Sequence, residues 1–405
     1  MAIFGWQHLD TPVNYIDVRE IQLEQAAIVK TAHPNLPTMI YAGFGFAFGI
    51  NAAIDKIMND PQFSNYFLMY NNVSKVHTNT DCQQAHTSPS ATGGRCTGYF
   101  WNMANASARD YYIENIVAPL AANTVIDGVF FDAFNYGYDI PEVTPWGEEA
   151  VNVPNCHKKG VQGAADWSGC DALLKGTIDV AIRAGKLLND HSKVPMYANV
   201  GTFQQPYVGQ NIWLNESHLA EALDEANVTW LSYYESARAE AMLQGCPERN
   251  GTAGWCLIHN MLEESKRGIA GAVHTYLKNE TEAQNGHIAA FMLARSDYWY
   301  YFGVSSTAPS SLLTHVYAVP QLTSSTGLFS HRAFLFSSTP HLQSTGWWDD
   351  SYKWDPLYDS VSKCGKPKGA AQQSTNNIFT RSFTGCDVTL DCSQVDFCRG
   401  EIKMS

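Results

Sequence analysis

The sequence carries little charge. Asp, Glu, Lys and Arg make up 16% of its 405 residues, against roughly 25% in an average globular chain. Lys and Arg number only 26 and form no run, and the formal net charge is −13. A nucleic-acid partner needs a basic surface to displace counterions, so that class is excluded. No apolar run approaches the roughly 20 residues of a membrane span, and Met1–Trp6 lacks the basic start and long apolar stretch of a secretory leader. P-loop, H-E-x-x-H and G-x-S-x-G sequences are missing, and the glycines of Gly43–Gly49 miss the dinucleotide-binding spacing. No cofactor or metal is expected. The ten cysteines contain no C-x-x-C pair, which argues against structural zinc.

What is present points outside the cell. Cys82/Cys96, Cys156/Cys170 and Cys246/Cys256 bracket short polar segments, and Cys364, Cys386, Cys392 and Cys398 follow near the end. An even count in close pairs is the pattern of disulfides in an oxidising compartment. Six N-x-S/T sequons, at Asn72, Asn105, Asn215, Asn227, Asn250 and Asn279, predict N-linked glycans and a eukaryotic secretory route to the cell wall, cell surface or matrix. Aromatics are plentiful, with 11 Trp, 20 Tyr and 19 Phe, which serves a large core and also the stacking of sugar rings.

Short apolar runs alternate with amphipathic stretches of ten residues or more, the pattern of βα units in a parallel sheet. Eight runs read as strands: Ile3–Trp6, Thr38–Gly43, Tyr66–Tyr70, Val125–Phe131, Val194–Asn199, Val228–Tyr234, Ala270–Tyr276 and Tyr298–Phe302. Helices are expected at Ile21–Ala32, Asn51–Met58, Ala106–Ala121, Cys170–Leu188, Ser217–Ala226, Cys256–Ser265 and Gly286–Arg295. The expected fold is α/β, a (β/α)8 TIM barrel over residues 1–303 with disulfide-bonded insertions at about 72–101 and 136–168. An open doubly wound sheet is the competing arrangement. From residue 304 the chain turns Ser/Thr-rich, and Ile378–Phe383 and Val388–Leu390 predict a small C-terminal β appendage within 304–405, packed on the barrel.

Two strands end in an acid. Asp127-Gly128-Val129-Phe130-Phe131-Asp132 runs from apolar residues into Asp132, and Thr229–Tyr234 runs into Glu235. In a barrel, the carboxyl ends of the strands face the site. Two such carboxylates are what glycosidic bond hydrolysis requires, one to attack or to activate water and one to protonate the leaving oxygen. A loop-capping Asp and a helix-start Glu are the plainer alternatives. Asn199, Tyr234, His274, Tyr276, Trp299 and Trp348 are candidate sugar contacts, with core packing the alternative for the aromatics. Asp127 is expected to cap the opposite end of its strand.

Over residues 20–135 and 345–390, less than half of the chain, the sequence resembles glycosyl hydrolases with a D-G-V-F-F-D run on strand four. Their C-terminal stretch is matched here by Gly365-Lys366-Pro367-Lys368-Gly369 and Phe379-Thr380-Arg381-Ser382-Phe383. The arrangement is also similar to family 66 dextranases and, more remotely, to the retaining α-galactosidase clan. The resemblance implies Asp132 as nucleophile, Glu235 as acid/base and a carbohydrate substrate. A transglycosylase would use the same residues. A non-catalytic glycan-binding or structural glycoprotein on a barrel scaffold is the reading from another class.

Overall fold

In the computed structural model the described residues are 1–4, 17–48, 51–58, 60–70, 74–75, 77–78, 98–132, 148–150, 152–161, 164–168, 170–198, 219–234, 257–277, 283–296, 299–305, 361–394 and 398–405. The chain divides into two compact units, Met1–Trp230 and Leu231–Ser405.

The first unit is built on four parallel strands: β1 (Ala2–Phe4), β2 (Thr38–Gly43), β8 (Gly128–Asp132) and β12 (Val194–Ala198), adjacent in that order. Helix α1 (Val18–Ala32) leads from β1 to β2. Asp17 caps it by accepting the Arg19 amide at 3.0 Å, and Val18, Gln22, Ala26 and Val29 form its buried stripe. Gln22 satisfies its buried amide on the Phe4 carbonyl at 3.1 Å. Helix α5 (Asp171–Asp190) precedes β12 and buries Leu173, Leu174, Thr177, Val180, Ala181, Ala184 and Leu188. These follow the three- and four-residue spacing of a core-facing helix. The start of β8 is fixed by Asp127, which accepts from the Thr38 amide at 2.7 Å and pairs with Lys30 at 2.6 Å. Gly128 has to be glycine: a Cβ there would overlap the Val194 carbonyl oxygen.

The helical stretch before β8 is interrupted by one feature. Helices α3 (Ala106–Tyr112) and α4 (Ala118–Ala122) are joined by a π-turn over Ile113–Val117. Pro119 has no N–H for the Asn115 carbonyl four residues back, and Arg19 donates to that carbonyl instead, at 3.3 Å. The local break and the distant arginine compensate for each other.

Tyr66–Tyr70 does not join the parallel sheet. Residues Pro61–Tyr66 form a 3-10 helix, and β4 (Met69–Tyr70) pairs antiparallel with β5 (Ser74–Lys75). The Leu68 amide bonds to the Phe100 carbonyl, and Asn152 bonds to Met69 N and Phe67 O at 2.9 Å each. With β2 paired directly to β8 from Met39↔Gly128 to Gly43↔Asp132, the sheet has no place for a strand between them. One of the eight expected parallel strands, the third in chain order, is therefore absent from this part of the sheet, and the described residues do not show a full eight-stranded barrel. The short helix α2 (Ala52–Met58) and two small antiparallel sheets accompany the unit: β3 (Phe46–Phe48) with β7 (Gly98–Phe100) and β6 (His77–Thr78), and β9 (Glu148–Ala150) with β10 (His157–Val161) and β11 (Ala164–Ser168).

The second unit has three adjacent parallel strands, β13 (Leu231–Tyr234), β14 (Ala270–Leu277) and β15 (Tyr300–Ser305), connected through α7 (Leu257–Lys266) and α8 (Ala283–Ala294). The C-terminal β structure shares this unit's core. It is an antiparallel sheet of β16 (Gln372–Gln373), β17 (Ile378–Ser382), β18 (Cys386–Asp391) and β19 (Arg399–Met404). Helix α8 packs against β14 and against β17–β19, which is why Ile288–Ala294 is buried all round.

Arg381 locks this arrangement. Its guanidinium reaches the end of α8 and donates to the carbonyls of Leu293 at 2.7 Å and Arg295 at 2.6 Å, and to that of Gly369 at 2.8 Å. It thereby satisfies carbonyls that a helix end leaves without partners. Phe379 and Phe383 on either side of it are fully buried, and Arg295 and Arg381 both lie over the Phe383 ring, 5.4 and 5.5 Å from its centre. The Phe-x-Arg-x-Phe stretch is thus a packing device.

Cys156–Cys170, Cys364–Cys386 and Cys392–Cys398 are disulfides. Cys82, Cys96, Cys246 and Cys256 lie outside the described residues, as do four of the sequons, Asn72, Asn215, Asn250 and Asn279. Among the described residues no helix is long and apolar enough to cross a membrane.

Candidate functional site

Asp132 is the last residue of β8. Alternation along the strand separates its two faces. Phe131 stacks on Tyr197 of β12 at 5.4 Å, and the Tyr197 hydroxyl donates to the Ala181 carbonyl of α5 at 2.7 Å. Phe131 therefore faces the helices. Phe130 points the other way and meets Tyr41 of β2 edge-on at 5.8 Å. Asp132 shares that face. Val129, Phe130 and Phe131 are buried, whereas Asp132 is partly exposed. The strand thus carries an acid out of an apolar core to the carboxyl edge of a parallel sheet, where α/β folds build their sites.

The backbone around Asp132 is held on several sides. Gly43 is its register partner, the Phe44 amide donates to the Asp132 carbonyl at 2.8 Å, and the Tyr112 hydroxyl donates to the Gly43 carbonyl at 3.0 Å. Phe44 is fully buried with edge contacts to Tyr112 at 5.6 Å and Phe131 at 5.7 Å. Trp101 continues the support, stacked on Phe67 at 5.4 Å and bonded through its amide to the Gly45 carbonyl at 3.1 Å. A ligand or reacting atom at Asp132 would meet a carboxylate on a stiff strand end.

In the second unit the structure corrects two sequence-based assignments. Tyr234 and Trp299 are candidate sugar contacts in the sequence, with core packing the alternative, and in the structure both are core residues. Tyr234 is fully buried, its hydroxyl donates to the Glu264 carboxylate of α7, and its ring stacks on Trp299 at 6.1 Å. Trp299 is 8% exposed, and its indole N–H donates to the Ile269 carbonyl at 2.9 Å. Both polar groups are satisfied inside the helix–sheet layer, which leaves neither ring a face for a sugar.

Glu264 is the residue the sequence reading missed. It is 3% exposed, and burial raises its pKa from an ordinary 4.5 to about 7, with the Tyr234 and Ser232 hydroxyls opposing the rise. The Tyr234 hydroxyl is pushed well above its usual range, first by burial and then by the neighbouring Glu264. The available signal was its position: Leu257, Met261 and Glu264 follow helical spacing, so the acid interrupts an apolar stripe. Near pH 7 it can hold or release a proton, and it does so within the core of this unit.

Of the remaining candidates, His274 and Tyr276 lie within β14, opposite Phe302 and Val304 of β15. Asn199, Glu235 and Trp348 lie outside the described residues. Among the described residues no group of three or more His, Cys, Asp or Glu side chains is placed to hold a metal ion.

No family model and no curated protein matches the chain. Among solved structures it is similar to Aspergillus fumigatus Ega3 in complex with galactosamine, at 11% identity and a TM-score of 0.37, over 75% of this chain and 89% of that one. It is also similar to a sugar phosphate isomerase/epimerase from Parabacteroides distasonis, at 8% identity and a TM-score of 0.25, over 75% and 88%. Likenesses at these scores fix neither a fold nor an activity.

Proposed function

We propose that this chain is a secreted glycoside hydrolase acting on an extracellular polysaccharide or oligosaccharide by a retaining two-carboxylate mechanism. The observation that carries the proposal is the position of Asp132. A partly exposed carboxylate closes an otherwise buried strand at the carboxyl edge of a parallel sheet, on a backbone braced by Phe44 and Tyr112.

In this reading the Asp132 carboxylate attacks the anomeric carbon while Glu235 protonates the departing glycosidic oxygen. The carbon–oxygen bond to the leaving group breaks as the bond to Asp132 forms. Glu235 then takes a proton from water, whose oxygen displaces Asp132 and restores both carboxyl groups. Support for Glu235 comes from the sequence, where it follows the last residue of β13 just as Asp132 ends β8. Asn199, His274, Tyr276 and Trp348 are the proposed substrate contacts. The secretory route is supported by the three disulfides and six sequons, and no cofactor is invoked.

The test is hydrolysis of a glycan panel by the wild type, Asp132→Asn and Glu235→Gln. The wild type is expected to release sugar, and each variant to lose that activity by on the order of 10³-fold. Unaltered hydrolysis by the variants would sink the site assignment. Glycan binding without cleavage by the wild type would replace the enzyme with a binding or structural glycoprotein.

A further inference from the structure

Two of the six sequons lie among the described residues, and the fold treats them differently. We infer that Asn227, rather than Asn105, is the N-glycan acceptor of this pair.

Asn227 sits in the turn after helix α6 (Leu219–Glu225), with φ at 55° and its amide bonded to the Asp224 carbonyl at 2.9 Å. A left-handed turn of this kind is one that Asn tolerates better than most residues. The next three residues are fixed. The Val228 amide bonds to the Leu223 carbonyl at 2.9 Å, and its side chain is 5% exposed. It packs so closely on Gly185 of α5 that a Cβ at Gly185 would meet it. Thr229 is held through its backbone by Asn189, whose side chain donates to Thr229 O at 3.0 Å and accepts from Thr229 N at 2.8 Å. The Trp230 indole donates to Asp224 at 2.9 Å.

The result is a sequon displayed on a rigid turn. Its middle residue is the anchor, and its two chemically necessary residues, Asn227 and Thr229, are exposed. No hydrogen bond to the Asn227 side-chain amide exists among the described residues. A glycan there displaces nothing. The turn also lies at the end of the unit where β12 begins, since Asn189 closes α5 just before that strand and also donates to the Lys193 carbonyl at 3.0 Å. Asp132 is at the opposite end of the neighbouring β8, so sugar on Asn227 would not crowd it.

Asn105 is in the contrary position. It is half-buried as the cap of α3, its side-chain amide oxygen accepts the Ser107 amide at 2.9 Å, and its side-chain nitrogen donates to the Asn65 carbonyl at 3.1 Å. That nitrogen is the atom that would carry the sugar. In the transfer, the amide nitrogen bonds to the anomeric carbon of a lipid-linked oligosaccharide, the bond from that carbon to the lipid diphosphate breaks, and the nitrogen loses one proton. An Asn105 so modified has to fold with bulk beside a contact that its nitrogen makes in the native cap.

The inference rests on the secretory route of the proposed function but not on the hydrolase activity. The full chain is secreted from a eukaryotic host and treated with a glycan-releasing amidase in heavy-oxygen water, which converts each occupied Asn to labelled Asp. Peptide mass spectrometry then gives the labelled fraction at both positions. Asn227 is expected to be labelled in most molecules and to a greater extent than Asn105. Thr229→Ala, which leaves the backbone bonds to Asn189 intact, should abolish the label at Asn227 without lowering secretion. An unlabelled Asn227, or one labelled no more than Asn105, overturns the inference. A labelled Asn227 in material that hydrolyses no glycan overturns only the enzyme reading.

Discussion

Replacing Glu264 with Gln should make the protein more stable at pH 8 and no more stable at pH 4. The folded state favours the protonated acid, because burial raises the pKa from 4.5 to about 7. Stability is therefore fully present below about pH 4.5, falls as the pH rises towards 7, and levels off above it. One pKa unit corresponds to about 1.4 kcal/mol, so the ionised form costs the fold roughly 3 kcal/mol. The structure gives this a physical source: Glu264 is 3% exposed, so its charge is cut off from water, and the Tyr234 hydroxyl that donates to it only partly offsets that burial. Gln cannot ionise, so it escapes the penalty but weakens the bond to the Tyr234 hydroxyl, at about 1 kcal/mol. The net gain at pH 8 is roughly 2 kcal/mol, with a small loss at pH 4. Urea titrations of both proteins at intervals from pH 4 to pH 8, followed by near-ultraviolet circular dichroism, would show the two stability curves crossing. Curves that stay parallel from pH 5 to pH 7 would refute the reasoning, because Glu264 would then not be the group that titrates.

Two further changes test the packing. Arg381→Met leaves the carbonyls of Leu293 and Arg295 without their donor, and should cost about 3 kcal/mol in urea denaturation; Arg381→Lys, a point charge without the planar fork, should recover little of it. Gly128→Ala pushes a methyl group into the Val194 carbonyl and should lower stability by roughly 2–3 kcal/mol, measured by the same titration. A neutral outcome there would mean that the β8–β12 spacing yields more easily than its register implies.

Long amphipathic elements were readable because their pattern is local. The helix expected at Cys170–Leu188 is observed at Asp171–Asp190, and the strand expected at Ala270–Tyr276 is observed at Ala270–Leu277. Tyr66–Tyr70 failed because an apolar run does not say which partner it will find. Here Phe100 and Asn152, far along the chain, took the place of the parallel neighbours. The strand β19 (Arg399–Met404) was missed because it is mostly exposed and alternates weakly. For the site, an acid at the end of an apolar strand was visible at Asp132. The roles of Tyr234 and Trp299 were not, since a strand's alternation becomes informative only once it is known which face the helices cover. Glu264 settles that question for β13, and nothing near Tyr234 in sequence announces it.

The reach of Arg381 also bears on the order in which the protein can be made. It caps a helix whose last residues lie 86 to 89 positions earlier in the chain. During synthesis the Met1–Trp230 unit has all of its own residues available long before the second unit does, and domains emerging from the ribosome tend to fold in that order. Helix α8 must wait, its apolar sides uncovered and its final carbonyls uncapped, until the Phe-x-Arg-x-Phe segment emerges. A chain cut short before that segment keeps every strand of the parallel sheet yet cannot close the core around α8. Emergence of that segment is thus registered as burial of a helix, and a chain lacking it leaves the apolar sides of α8 uncovered.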